Sequence, residues 1–316
     1  TGDRDAPEWN TAALGPTKRG YATELVLRLR ERYGANGFLH FGQGKWYPGE
    51  QLPRWALSIY WRADGQPCWN DPSLFADERQ PGRHTEADAQ RFMTELCAQL
   101  GLDTKYVKPG HEDVFYYLWR ERRLPVNVDP FDSRLDDELE RARLRKVFEQ
   151  KLDKVVGYAL PIRRGDGPVL DGAAWITGPW FFRDERMYLV PGDSPMGFRL
   201  PLDSLPWAAE TDRQSTIERD PFDARRELPA PAQIRAQLRG GPGRAGPGRA
   251  AAAVSASATG AAAGADGQGG DGAPAAGDAY PQRFESAAWI TRTALCTEAR
   301  GGNLYIFMPP LQYVED

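Results

Sequence analysis

The residues with the clearest capacity for chemistry lie in the segment HEDVFYYLWRERRLPVNVDPFDSRLDDE, which begins at His111. His111, Glu112 and Asp113 precede an aromatic run, Arg120, Glu121, Arg122 and Arg123 follow it, and Asp129, Asp132 and Asp136 close the group. Carboxylates spaced in this way can hold Mg²⁺, which takes oxygen ligands and usually keeps several waters. Arginine supplies a forked donor that matches phosphate or carboxylate. Together they suggest nucleotide chemistry, with Arg120 and Arg122 on the nucleotide and Asp129 and Asp132 on the metal. The competing reading is plainer and commoner: Asp132 caps a helix and the arginines form a solvated, ion-paired face.

A second cluster is GFLHFGQGKWYPGEQLPRW, where His40, Gln43, Lys45 and Trp46 crowd around glycines that let a backbone approach a ligand. Lys45 suits a phosphate or carboxylate. An ordinary aromatic-rich loop explains the same string, because a bare Gly-x-Gly is weak. His40, Lys45 and Glu112 are the candidate catalytic residues around an acceptor. Cys68, Cys97 and Cys296 have no C-x-x-C spacing, and none opens a helix in a polar setting, so buried structural thiols are expected rather than nucleophiles or a zinc site. His84 sits in a Gly- and Arg-rich loop and reads as exposed. No phosphate-binding loop, dinucleotide fingerprint, zinc-helix motif or nucleophile elbow is present.

These groups need a scaffold, and 316 residues are ample for one. Lys plus Arg number 40 against 44 Asp plus Glu, a net charge of −4, which argues against nucleic-acid binding built on global charge. No apolar run approaches the roughly 20 residues of a membrane helix. The chain therefore reads as soluble and cytoplasmic, without a membrane partner. Pro16 with Leu25, Leu29 and Tyr33 predicts a helix at 16–33, ended by Gly34. Thr85 with Asp88 resembles a capping box opening a second helix that Gly101 ends. Leu135, Leu139, Leu144, Val147, Phe148, Leu152 and Val155 predict a third at 133–154. Alternation at Trp55–Trp61, followed by Asp64-Gly65, predicts a hairpin onto Cys68 and Trp69. Strand patterns recur at 175–182 and 187–190, and a last hairpin is expected from ALC and LYIFMPP.

The resulting expectation is an α+β fold with mainly antiparallel sheet and about three amphipathic helices. Residues 1–225 read as an α+β domain and 226–283 as an Ala/Gly/Pro-rich linker or insertion. Residues 284–316 read as a hairpin that either packs back or begins a further part.

The strings EWNTAALGPTKR, FLHFGQGKWYPGEQLPRWALSIYWR, YYLWRERRLPVNVDPFDSRLDD and PGDSPMGFRLPLDSLPW closely resemble the large bacterial amidoligase family, many members of which begin with a transglutaminase-like domain. The likeness spans Glu8–Trp207 and resumes at Trp289–Leu311. It implies a glutamine-synthetase-like fold and a carboxylate–amine ligase in which ATP, with Mg²⁺, phosphorylates a carboxylate that an amine then attacks. It also implies a peptide- or amino-acid-like substrate. Family members continue beyond Asp316, and neither the Gly- and His-rich ligase core nor the transglutaminase-like domain occurs here. The expectation is thus an internal fragment, inactive without the remainder of its parent chain. Two other classes compete: a non-catalytic, aromatic-rich module binding peptide or glycan, and a transglutaminase-like peptidase.

Overall fold

The computed structural model describes residues 3–10, 15–43, 55–67, 69, 71–76, 80, 82–132, 138–165, 175–213, 220, 222, 224, 227, 229–240 and 279–311. In chain order its elements are α1 (Pro7–Asn10), α2 (Pro16–Tyr33), β1 (Phe38–Gln43), β2 (Trp55–Tyr60), α3 (Glu86–Leu100), β3 (Lys108–His111), α4 (Val114–Glu121), α5 (Glu138–Gln150), β4 (Val155–Pro161), β5 (Arg163–Arg164), β6 (Trp175–Ile176), β7 (Met187–Tyr188), α6 (Pro231–Gly240), β8 (Ala294–Arg300) and β9 (Asn303–Phe307). The class is α+β. Five strands form a sheet in the order β7-β3-β4-β8-β9, antiparallel except for the β3–β7 pair, while β1–β2 and β5–β6 are separate antiparallel pairs.

The central pair is β4–β8, strands far apart in sequence, registered from Gly157↔Glu298 to Pro161↔Ala294. Strand geometry sends alternate side chains to opposite faces. Tyr158, Leu160 and Leu295 meet Ala89, Met93 and Cys97 of α3, whereas Ala159 and Cys296 meet Trp180, Met187, Leu189, Met196 and Ile290 on the other side. α3 starts as its sequence demands: Thr85 and Asp88 form the reciprocal capping box, and Gly101 ends the helix in the left-handed region at φ 68°. The Tyr158 hydroxyl donates to the Glu86 carboxylate, fastening the first turn of α3 to β4. A third apolar cluster, Tyr117 with Leu144 and Val147, joins α4 to α5.

Several expectations change in the structure. β2 pairs with β1, in a six-residue register from Phe38↔Tyr60 to Gln43↔Trp55, and among the described residues not with Trp69. The segment read as a loop around His40 is therefore strand as far as Gln43, because the alternating FLHF run offers a full ladder. Residue 68 lies outside the described residues. The strand expected at 175–182 covers only Trp175–Ile176, since Pro179 lacks the donor a ladder requires. The third helix is described from Glu138 and ends at Gln150, where Lys151 turns to φ 72°. Its expected caps, Asp132 or Ser133, leave nothing to compare, because residues 133–137 lie outside the described residues. Pro231–Gly240, expected within the linker, is helical: proline opens it, Gln233 accepts from the Ala230 amide at 3.1 Å, and Ala, Gln, Leu and Arg are good helix formers. Residues 241–278 of the expected linker lie outside the described residues. The stripe that identified α2, Leu25, Leu29 and Tyr33, is exposed, and Thr23 and Val26 face inward.

Gly157 is constrained by contact. A Cβ there would strike the Thr297 carbonyl and come within 2.9 Å of Met196 Sδ, so the central strand accepts no side chain at this point. Gly157→Ala should cost about 1–3 kcal/mol, the usual range for overpacking, read as a lower urea midpoint at unchanged slope.

Candidate functional site

Among the described residues two places gather functional groups, and they differ in whether the charges are already matched. The first lies at the end of β3 beside α4 and α5. Glu112 is only 4% exposed and receives both Nη atoms of Arg199, itself 4% exposed; the Nη1–Oε1 distance is 3.2 Å. Arg199 also donates from Nε to the Val190 carbonyl at 2.8 Å. Burial acts against the Arg199 charge, but Glu112 prevails and the guanidinium is held above its usual range. Glu298 faces the same segment, accepting from the Met196 amide at 2.6 Å and from Arg300 at 3.3 Å. Burial raises the Glu298 carboxyl despite these partners. Asp193 accepts from Lys146 at 2.8 Å, and its backbone carbonyl accepts from Arg300 at 2.9 Å. Burial pushes the Asp193 carboxyl upward, yet Lys146 and Arg300 bring it below its usual range.

A second branch leaves from Tyr117, which is fully buried. Its hydroxyl accepts from Arg143 at 2.8 Å, and burial followed by the Glu112 charge pushes the phenol up to about 12, so it stays protonated. Arg143 also reaches Glu140, which accepts from Arg120 at 2.9 Å. The whole array links α4, α5, β8 and the 190–199 segment through opposed charges.

The other place is a groove of about 580 Å³ where α2 meets β1. Arg30 and Glu31 of α2 border it, with Phe38 and Phe41 of β1, and Trp69 and Phe75 from the segment after β2. The helix ends with the Gly34 amide on the Arg30 carbonyl at 2.9 Å, and the chain then turns through Asn36 at φ 60°. The Asn36 side chain donates to the Gly65 carbonyl at 2.8 Å. Arg62, 6% exposed, grips Asp64 with Nε and Nη2 and holds its carboxyl down to about 2, which fixes the neighbouring turn. Phe75 stands 5.8 Å from Phe38 and 5.5 Å from Trp69 between ring centroids, giving an aromatic wall.

The sequence candidates are distributed between these places. Glu112 is in the buried array, with Arg120 on its margin. Arg122 caps the end of α4 and is exposed. Asp129 is exposed and accepts from the Phe131 amide at 2.7 Å. Asp132 closes the turn Pro130–Asp132, and Lys45 lies outside the described residues. His40 is exposed on β1 opposite Ser58, its ring edge-on to Tyr60 at 6.0 Å, and so is separate in its partners from Glu112. Among the described residues no three His, Cys, Asp or Glu side chains are placed to share a metal ion. Glu112, Glu140 and Glu298 are each engaged by arginine.

The cysteines bear on the peptidase alternative. Cys97 and Cys296 are free and buried; burial raises both thiols, Cys296 to about 12, so neither is a ready thiolate. His111 is buried with Nδ1 unpartnered, and burial, then Arg186, lowers its pKa. His84 is exposed and 3.7 Å from Asp88. Sequence reasoning missed Arg143, Arg199, Glu298 and the Arg30–Glu31 pair. The available signal was a charge inside apolar surroundings, as in MGFRLP and ALCTEAR.

Two measurements probe the array. Glu112→Gln strands Arg199 in the interior and should cost about 3–5 kcal/mol of unfolding free energy at neutral pH, measured by urea titration. Glu298 has a raised folded pKa, so the unfolded chain gives up this proton first as pH increases. The stability of the natural protein relative to Glu298→Gln should therefore fall from pH 4 to pH 7, and a rise over that interval would contradict the assignment.

Among relatives, no curated protein and no solved structure matches. A family model described as "Putative amidoligase enzyme (DUF2126)" matches residues 1–316. Because that match runs the full length of the sequence, across the buried array and the groove alike, the chain belongs to this amidoligase family.

Proposed function

We propose that the protein joins a carboxylate to an amine on amino-acid- or peptide-like substrates, and that this chain supplies a substrate-holding part of the ligase. The observation that carries the proposal is the groove between α2 and β1, which combines an aromatic wall with two charged side chains in a volume typical of small-molecule sites. Family membership supports amide ligation as the activity it serves. ATP and Mg²⁺ belong to the proposal as the energy source and metal of the full-length protein. Glu112, Glu140 and Glu298 each already answer an arginine, so no step is assigned to them. The role of this chain's own residues is to bind and orient one reactant and to keep water from its apolar portion.

The groove equally favours a second reading, a binding module that holds a peptide without catalysing its ligation. The two separate in one assay. Full-length protein with Mg-ATP and a panel of amino acids and short peptides should release ADP only when both a carboxylate and an amine are present, with the amide product visible by mass spectrometry. Trp69→Ala should raise KM for one reactant about tenfold, the order expected on losing an aromatic wall, with a smaller change in kcat. ADP at background throughout the panel would leave the binding module.

A further inference from the structure

The groove has a charge pattern more specific than an apolar slot. Arg30 and Glu31, consecutive on the last turns of α2, both border it, and neither has a side-chain ion pair or hydrogen bond among the described residues. This is unlike Arg62, Arg120, Arg143, Arg199 and Arg300, each of which is tied to a carboxylate. The carbonyl end of a helix carries partial negative charge, which adds to Glu31 as an attraction for a cation. Aromatic faces add a further attraction for ammonium and bury apolar groups. A phosphate would be repelled by Glu31 and the helix end. A simple cation would meet Arg30. A neutral sugar would use the rings but leave both charges unanswered.

The geometry points to a zwitterionic α-amino acid with a large apolar side chain as the occupant. Its carboxylate pairs with Arg30, its ammonium with Glu31 and the end of α2, and its side chain lies against Phe38, Trp69 and Phe75. The identification of this molecule as the amine substrate rests on the ligase reading; its binding does not. The turn beside the site is set by Asn36 on the Gly65 carbonyl and by the Arg62–Asp64 pair, so the backbone that follows α2 is in place before a ligand arrives.

Calorimetric titration of the full-length protein without nucleotide tests this with L-phenylalanine, N-acetyl-L-phenylalanine and L-phenylalaninamide. The first should bind about fivefold more tightly than either of the others, as an exposed ion pair of about 1 kcal/mol implies. Glu31→Gln should abolish the preference over the acetylated compound and keep the preference over the amide. Arg30→Gln should do the reverse. Trp69→Ala should weaken all three, and circular dichroism shows whether each variant is folded. Equal affinity for the three compounds, loss of both preferences in each folded charge variant, or no heat with any compound at millimolar concentration overturns the proposal. Binding with this pattern but no ADP release in the ligation assay would overturn the ligase reading alone, whereas ADP release without such binding would overturn this assignment alone.

Discussion

The Glu112–Arg199 pair is the interaction on which the described architecture turns. It joins the residue after β3 to the end of the short turn Met196–Phe198, and both partners are almost wholly removed from water. Withdrawing two charges from water is costly, and replacing such a pair by apolar groups is often neutral or favourable. Its contribution is therefore better described as specificity than as net stability. With Arg199 held, Met196 is carried over Gly157, its amide meets Glu298, and the face of the sheet opposite α3 closes. A different position of the 190–199 segment would strand Glu112, Glu298 and Arg199 together. The cost of that triple failure selects one arrangement of a segment with little regular structure of its own.

How much of this was legible depends on the range of the information. Local signals were reliable: the Thr85–Asp88 box and Gly101 delimit α3 as read, Pro16 and Gly34 delimit α2, and the two glycines at 301 and 302 turn β8 into β9 with φ of 55° and 79°. Pairing across the chain was less so. The Asp64-Gly65 turn suggested a hairpin forward, while the ladder among the described residues runs backward to β1, because turn chemistry identifies a reversal and not which strand completes it. The Leu25, Leu29 and Tyr33 stripe gave the right helix, yet these side chains are exposed and Thr23 and Val26 face inward. Helical period fixes spacing; which side meets the core is decided by neighbours distant in sequence.

The same limit explains the site residues. Dense charge between His111 and Asp136 was visible, but charge density does not reveal pairing. Arg120 answers Glu140 from the next helix, and Glu112 answers Arg199, 87 residues further along. Asp129 serves a local turn. Freeing Glu112 for a ligand would require breaking a buried pair. Charge density in a segment thus does not distinguish Glu112, which is paired and buried, from Arg122 and Asp129, which are exposed.

Recognition has to come from charges that folding leaves unanswered. Arg30 and Glu31 meet that condition because α2 positions them at its end, where the helix has run out of hydrogen-bond donors to offer and the chain turns away through Asn36. Their opposite signs define a dipolar partner, and the rings of Phe38, Trp69 and Phe75 give it an apolar side. The buried array and the open groove are in this sense complementary uses of one residue type. Arginine facing glutamate in the interior specifies where the 190–199 segment lies, whereas arginine beside glutamate at the rim of a cavity leaves both charges available, so that the attraction satisfied internally in one place becomes affinity for an outside molecule in the other.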